Sequence, residues 1–321
     1  SPKSKLKYYS VLFLMIALAI FGIKNLRVDN YLTDEVNKSS SLYQEMSFFN
    51  DNFGGIKPIT FKTEIDSNTQ ISQLIDFEYF LQEKQVSLDF SLSRLVENPQ
   101  LVTKSLLRKI TKEAYKIQSR MNDIGSKKSF AIFQEIKEKA EKLGLSLKIG
   151  GAGYLFDQVS NKLTLEILYG LMIAILTIGI LFVLINKFNL NYFFVALIPN
   201  VFPIIVSIGV LCFSDFYFSL SNAFIFAIVF GLIVDDSIHI LSSYRFNVIK
   251  GMSKEKAISA SLNITARAVI KTTIVVIVTL LPLLLSEFKS VSQLGVITII
   301  SAIIAIIFDL LFLPDLIKRY L

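Results

Sequence analysis

Long apolar runs and polar segments follow one another in a simple order along this chain. Runs of about 20 residues, enough to cross ~30 Å of hydrocarbon, occur near 163–185, 192–213, 219–241, 268–286 and 291–313. A further run, 9–26, has a shorter apolar centre, VLFLMIALAIFGI. Lys3, Lys5 and Lys7 precede it as they would in a signal peptide, but no small-x-small cleavage site follows, which favours a retained helix. The pattern predicts an α-helical membrane bundle of six transmembrane helices, one before a long polar segment and five after it. The intervening 28–160 is too polar to cross a membrane and too long for a loop, so it reads as a folded domain.

Inside that segment the periodicity switches between strand and helix. KPITFKTEI (57–65) puts Ile59, Phe61, Thr63 and Ile65 on one face of a strand. Residues 71–84 have helical spacing at Ile71, Leu74, Ile75, Glu78 and Leu81, and VSLDF (86–90) alternates again. A short helix is expected at 99–110, and 115–121 sets Tyr115, Ile117, Ser119 and Met121 against Lys116, Gln118 and Arg120. Residues 127–143 form an amphipathic helix with Phe130, Phe133, Ile136 and Ala140 on its apolar side and Gly144 as its stop. A last strand follows at 145–150. This order matches a split βαβ, ferredoxin-like α+β domain with a four-stranded antiparallel sheet. Residues 28–56 carry no clear pattern. The expected organisation is an N-terminal helix over 1–27, the domain over 28–160, and a five-helix bundle over 161–321 with a cytoplasmic amphipathic loop at 244–267.

Composition agrees with a membrane protein: 53% of residues are hydrophobic and the mean hydropathy is +0.56. The net charge of +7 does not point to nucleic acid, because its distribution follows the loops. Lys3, Lys5, Lys7, Lys187, Arg245, Lys250, Lys254, Lys256, Arg267, Lys318 and Arg319 fall on one side, and the short loops on the other carry only Lys289. Basic loops face the cytoplasm, so both termini are expected there and 28–160 outside. The single cysteine, Cys212, cannot form an internal disulfide. With one histidine and one cysteine, and no nucleophile–base pair or metal-spaced set, an enzyme is not expected, nor any metal or cofactor. GAGYLF (151–156) lacks the third glycine of a dinucleotide loop and runs into a membrane helix, so it reads as a flexible joint.

The chemistry concentrates in GLIVDDSIHI, 231–240. A charged side chain at the bilayer centre costs ~3 kcal/mol or more, and here Asp235 and Asp236 stand side by side in a spanning run. At helical spacing Gly231, Asp235, His239 and Ser242 share one stripe, with Asp236 about 100° round from Asp235. Tyr244 and Arg245 mark the interface about 13 Å from Asp235, and His239 is about 7–8 Å from it. Neighbouring carboxylates in a low dielectric cannot both ionise cheaply, which suits a group that binds and releases a proton. Gly231 would let another helix approach closely. Thr272 and Thr273 could hydrogen-bond the carboxylates or bond back to their own helix. His239 could equally be a packing residue. Pro199, Pro203 and Pro282 are expected to kink their helices, and Asp309 to form an interfacial ion pair with Lys318 or Arg319.

GLIVDDSIHILSSYRF, the basic loop after it, TARAVIKTT, LLSEFKSVSQLGVIT and DLLFLPDLI together resemble the RND superfamily of exporters, in its MMPL-like branch related to sterol-sensing domains. The resemblance implies that 28–160 is an extracytoplasmic porter domain, that Asp235 and Asp236 carry a proton relay, and that protons alone are the coupling ion. It implies a lipid-like substrate, a bacterial cytoplasmic (inner) membrane location, and a partner in the form of a second six-helix repeat or a second copy. Members of that family carry two such repeats and this chain has one, which suggests a half-size protein or the second half of a longer chain. Two other readings stay open: a lipid-sensing or scaffold protein that does not transport, and a SecD/SecF-type translocation motor.

Overall fold

The computed structural model describes residues 2–64, 71–92, 114–214 and 217–321. The short helix expected at 99–110 lies outside them. In chain order the main elements are α1 (Pro2–Asn25), β1 (Arg27–Val28), α2 (Ser41–Asn52), β2 (Lys57–Glu64), α3 (Ile71–Glu83), β3 (Val86–Leu88), β4 (Ala114–Met121), α4 (Ser126–Lys142), β5 (Leu147–Gly150), α5 (Ala152–Ile185), α6 (Asn191–Leu211), β6 (Tyr217–Phe218), α7 (Leu220–Ile249), α8 (Lys254–Leu280), α9 (Lys289–Leu311) and α10 (Leu313–Tyr320). They fall into two compact units, Asp29–Leu163 and Ser1–Val28 with Thr164–Leu321.

The first unit is built on an antiparallel sheet in the order β3-β4-β2-β5. Numbered within the sheet this is 2-3-1-4, the split βαβ order. Alternation makes it so: Ile59 and Phe61 on β2 and Tyr115, Ile117, Ser119 and Met121 on β4 are buried, and Thr60, Lys116, Gln118 and Arg120 between them are not. Leu74, Phe77 and Leu81 of α3 and Phe133, Ile136 and Ala140 of α4 complete the core. Each large apolar side chain removed from water contributes about 1.5–3 kcal/mol. Phe130 is exposed rather than buried, because the inward stripe of α4 runs through Ser129, Phe133, Ile136 and Ala140.

Two buried charge clusters hold this unit's irregular parts. Glu78 on α3 accepts hydrogen bonds from Tyr115 Oη (2.6 Å), Ser91 Oγ (2.8 Å) and Leu92 N (2.9 Å). Burial first, and the Glu78 carboxylate second, push the Tyr115 hydroxyl pKa above its ordinary value. At the other end of the sheet Lys57 is fully buried, with its Nζ 2.8 Å from Asp123 Oδ1 and 2.8 Å from Asp157 Oδ1. The second oxygen of Asp123 accepts from Thr33 N and Thr33 Oγ1, both at 2.8 Å. The helix α4 starts at Gly125, which has no side chain to cap it, and Asp29 does this from a distance by accepting from Ser126 Oγ and Lys127 N. Residues 28–56, unreadable in the sequence, thus form α2 and a linker tied down by borrowed polar contacts.

The GAG stretch is not a flexible joint. Gly151 has φ +99° and a Cβ there would lie 2.7 Å from the Pro58 carbonyl oxygen; a Cβ on Gly153 would lie 2.7 Å from Lys57 Cβ. The glycines let the start of α5 press against β2 and bring Asp157 to Lys57.

The second unit is helical. Among the described residues, five helical segments are long and apolar enough to cross a membrane: Ala152–Ile185, Asn191–Leu211, Leu220–Ile249, Lys254–Leu285 and Lys289–Tyr320. The sixth expected span is a shorter apolar stretch, Tyr9–Asn25, whose ~26 Å falls short of ~30 Å of hydrocarbon. It packs on α6 through glycines: a Cβ on Gly209 would lie 1.9 Å from Leu18 O, and one on Gly22 2.6 Å from Gly209 N. The two-residue strands β1 and β6 pair in parallel nearby, and Phe218 stacks on Phe226 at 5.5 Å. Pro199 and Pro203 lie inside α6, whereas Pro282 sits in a 3₁₀ turn that ends α8.

The expected amphipathic surface helix over 247–267, within the loop marked at 244–267, is not a separate element. The helix α7 continues to Ile249, a short turn follows, and Lys254–Leu280 is one unbroken helix. No Gly or Pro interrupts 254–280, so the change from polar to apolar composition does not break the backbone. Asn247 Nδ2, donating to Ser261 Oγ at 3.0 Å, pins the two helices together below the turn.

Candidate functional site

The helix α7 runs through the second unit, packed against α6, α8 and α9. Ser219 caps its start, accepting from Asn222 N. Ile225, Phe226, Val229, Phe230, Ile233 and Val234 bury one side of it. The opposite side carries Gly231, Asp235, His239 and Ser242, all exposed within this chain. Asp235 Oδ1 and His239 Nε2 are 3.4 Å apart, with side chains 71% and 68% exposed. Those values decide where the pair points: its side chains stand mostly clear of the other helices of this unit. The close approach expected at Gly231 is not made among the described residues either, since a Cβ there would meet nothing within 4 Å.

Asp236, one residue on, is half-buried. With Asp235, Thr272 and Thr273 it lines a small cavity of about 70 Å³, closed on the far side by Ala302 and Ala305 of α9. That volume has room for a few water molecules. The threonines are where the sequence placed them, but their hydroxyls donate to their own helix: Thr272 Oγ1 to Ala268 O and Val269 O, Thr273 Oγ1 to Val269 O at 2.7 Å. They present acceptor lone pairs and methyls to the cavity, and no direct donation to the aspartates.

A third carboxylate stands beside the pair. Asp309 on α9 is fully buried, and its Oδ1 accepts from Ser237 Oγ at 2.8 Å. Its Oδ2 is buried with no hydrogen-bond partner among the described residues. The expected interfacial ion pair with Lys318 or Arg319 does not form. The helix α9 ends at Leu311, and α10 begins at Leu313 as a separate element that carries both cations away. The cost argument that singled out Asp235 and Asp236 applies equally to Asp309, and counting back from the basic terminus concealed it. Among the described residues no group of His, Cys, Asp and Glu is placed to hold a metal ion.

A family model, that of the MMPL family, matches residues 96–318, from the middle of the α/β unit into all five long helices. The chain belongs to the MMPL family. Comparison with curated proteins finds no match. As an MMPL protein it is a multi-pass membrane protein of the RND-like transporter type, and the carboxylates of α7 and α9 lie in the matched region.

Proposed function

We propose that this MMPL protein exports a hydrophobic or amphiphilic, lipid-like substrate across the bacterial cytoplasmic membrane, driven by protons that pass through Asp235 and Asp236. The observation that carries the reading is the row Gly231–Asp235–His239–Ser242, exposed along a membrane-crossing helix. Facing hydrocarbon, such a row would cost several kcal/mol; facing a second six-helix repeat or a second copy, it becomes a shared polar interface. Gly231 then admits the partner's backbone, and His239 and Asp235 exchange a proton along the exposed face. Asp236 links that face to the small cavity beside Thr272 and Thr273. The buried Ser237–Asp309 pair extends the path into α9. In this scheme the α/β unit is the extracytoplasmic porter domain, and protonation of α7 drives its movements. Protons are the only coupling ion the scheme requires.

The test is proton entry into dye-loaded proteoliposomes holding the protein with its partner repeat, under an imposed pH step with lipid substrate in the bilayer. Asp235→Asn and Asp236→Asn are expected to fall to the level of empty vesicles while remaining folded, because Asn keeps shape but does not titrate. Asp309→Asn should lower the rate as well, and His239→Gln should lower it less. Wild-type rates in both Asp235→Asn and Asp236→Asn would remove the relay and leave a lipid-sensing or scaffold role.

A further inference from the structure

At the end of the bundle away from β1 and β6, the helices α1, α6, α9 and α10 enclose a cavity of about 620 Å³. Its inner wall is apolar: Ile16 of α1, Ile198 and Phe202 of α6, and Phe308 and Phe312 at the end of α9. The three aromatic rings form a continuous surface, with centroids 5.4 Å apart between Phe202 and Phe308 and 5.1 Å between Phe308 and Phe312. The mouth has a different chemistry. The short helix α10 is strongly amphipathic; Leu313 and Ile317 bury it against the bundle, and Lys318 and Arg319 stand exposed on the rim. Asp315 shares the rim, so its side chains carry two positive charges and one negative. Among the described residues neither Lys318 nor Arg319 has a carboxylate within 4.0 Å; the Arg319 guanidinium lies 5.8 Å from the Tyr320 ring. Asn191 Nδ2 donates to Tyr320 O at 2.8 Å and holds the end of α10 to the start of α6.

We infer that this cavity is a binding site for an anionic phospholipid, with an acyl chain along the aromatic wall and the phosphodiester held by Lys318 and Arg319. The cavity is in the size range of small-molecule sites. An acyl chain needs an apolar slot between helices, and the wall supplies one. A neutral lipid or a packed helix would gain nothing from two cations without a carboxylate partner at the mouth, whereas a phosphodiester pairs with both, and arginine offers it two parallel donors. Basic pockets between transmembrane helices hold anionic headgroups in this way, each basic residue adding about fivefold in affinity. The site does not depend on the proton relay: it lies on other helix faces, and it would be filled with or without a gradient.

The experiment is native mass spectrometry of the purified full chain, released from detergent with equimolar phosphatidylglycerol and phosphatidylcholine. The wild type is expected to retain phosphatidylglycerol at least tenfold over phosphatidylcholine. Lys318→Gln/Arg319→Gln should lose that preference while keeping the same unfolding temperature in lipid-free detergent, since both side chains are exposed. Ile16→Trp, which fills the slot from an exposed wall position, should lower retention of both lipids. Inorganic phosphate and glycerol phosphate serve as competitors. Displacement of the lipid by phosphate alone would make the site one for free anions and overturn the proposal. Equal retention of the two lipids by the wild type would overturn it, as would retention unchanged in the double variant. A lipid-free dimer as the main species would assign the cavity to a second copy.

Discussion

Replacing Lys57 with Met should unlock the α/β unit. The side chains of Lys57, Asp123 and Asp157 are all at most 1% exposed, and both ion pairs are 2.8 Å long. The cluster already holds two negative charges against one positive. Removing the ammonium leaves two carboxylates together in a dry site, and breaking a buried pair in this way costs about 3–5 kcal/mol. That is a large part of the ~5–15 kcal/mol that stabilises an ordinary domain. The Met chain fills most of the Lys57 volume, so the loss is electrostatic rather than a cavity. The chain contains no tryptophan, so hydrogen–deuterium exchange of the full protein in detergent is the suitable readout. At 1.36 kcal/mol per factor of ten, amides of β2 and β4 should exchange about 10²–10⁴-fold faster in Lys57→Met. Asp157→Asn is the control: it keeps a carbonyl oxygen for Lys57 and brings the cluster to neutrality, so exchange should change by less than about tenfold. Exchange in Lys57→Met within tenfold of the wild type would refute the claim that the cluster holds the unit together.

Gly209→Ala should loosen α1 from α6, because the new Cβ would collide with Leu18 O; overpacking of this kind costs ~1–3 kcal/mol, and an unchanged thermal unfolding midpoint in detergent would refute it. The raised Tyr115 pKa predicts a base-sensitive domain. Neutral Tyr115 is favoured in the folded state, so its stabilisation is complete below its unfolded value of 10.0 and is lost as pH rises above it. Exchange of β4 amides, corrected for the intrinsic rate, should therefore rise above pH 10 in the wild type and less steeply in Tyr115→Phe; parallel curves would remove the assignment. In a background lacking Cys212, a maleimide added outside intact cells should label Lys148→Cys on β5 and not Lys256→Cys on α8; the reverse pattern would invert the proposed orientation.

Much of the α/β unit was legible because its strands are buried on one face. Lys116, Gln118 and Arg120 alternate with Tyr115, Ile117, Ser119 and Met121, and no other period fits. The carboxylates on α7 were legible for the opposite reason, as charges where charge is expensive. What could not be read lies in contacts distant in sequence. Nothing near Lys57 announces that Asp123 and Asp157 will meet it. Nothing near Gly209 indicates that α1 crosses there, and Asp29 caps a helix almost a hundred residues away. The end of α9 was misread because an apolar run continues across it: Phe312 and Leu313 belong to the break, and hydropathy alone does not mark a change of direction. The start of α8 was misread conversely, as a change in polarity without a change in backbone.

The Lys57 cluster also has a mechanical consequence. Thr33 lies close behind the residue where the chain enters the α/β unit, and Asp157 shortly ahead of where it leaves. Thr33 grips Asp123, Asp123 and Asp157 grip Lys57, and so the entering and leaving strands of chain are fastened at one point. Tension applied between those two ends runs through this knot and bypasses the sheet. The two ends of the unit are thus held at a fixed separation by side chains, and its sheet need not stretch when they are pulled. An insert whose ends meet in this way is also one that a short linker could replace without opening a gap in the chain around it.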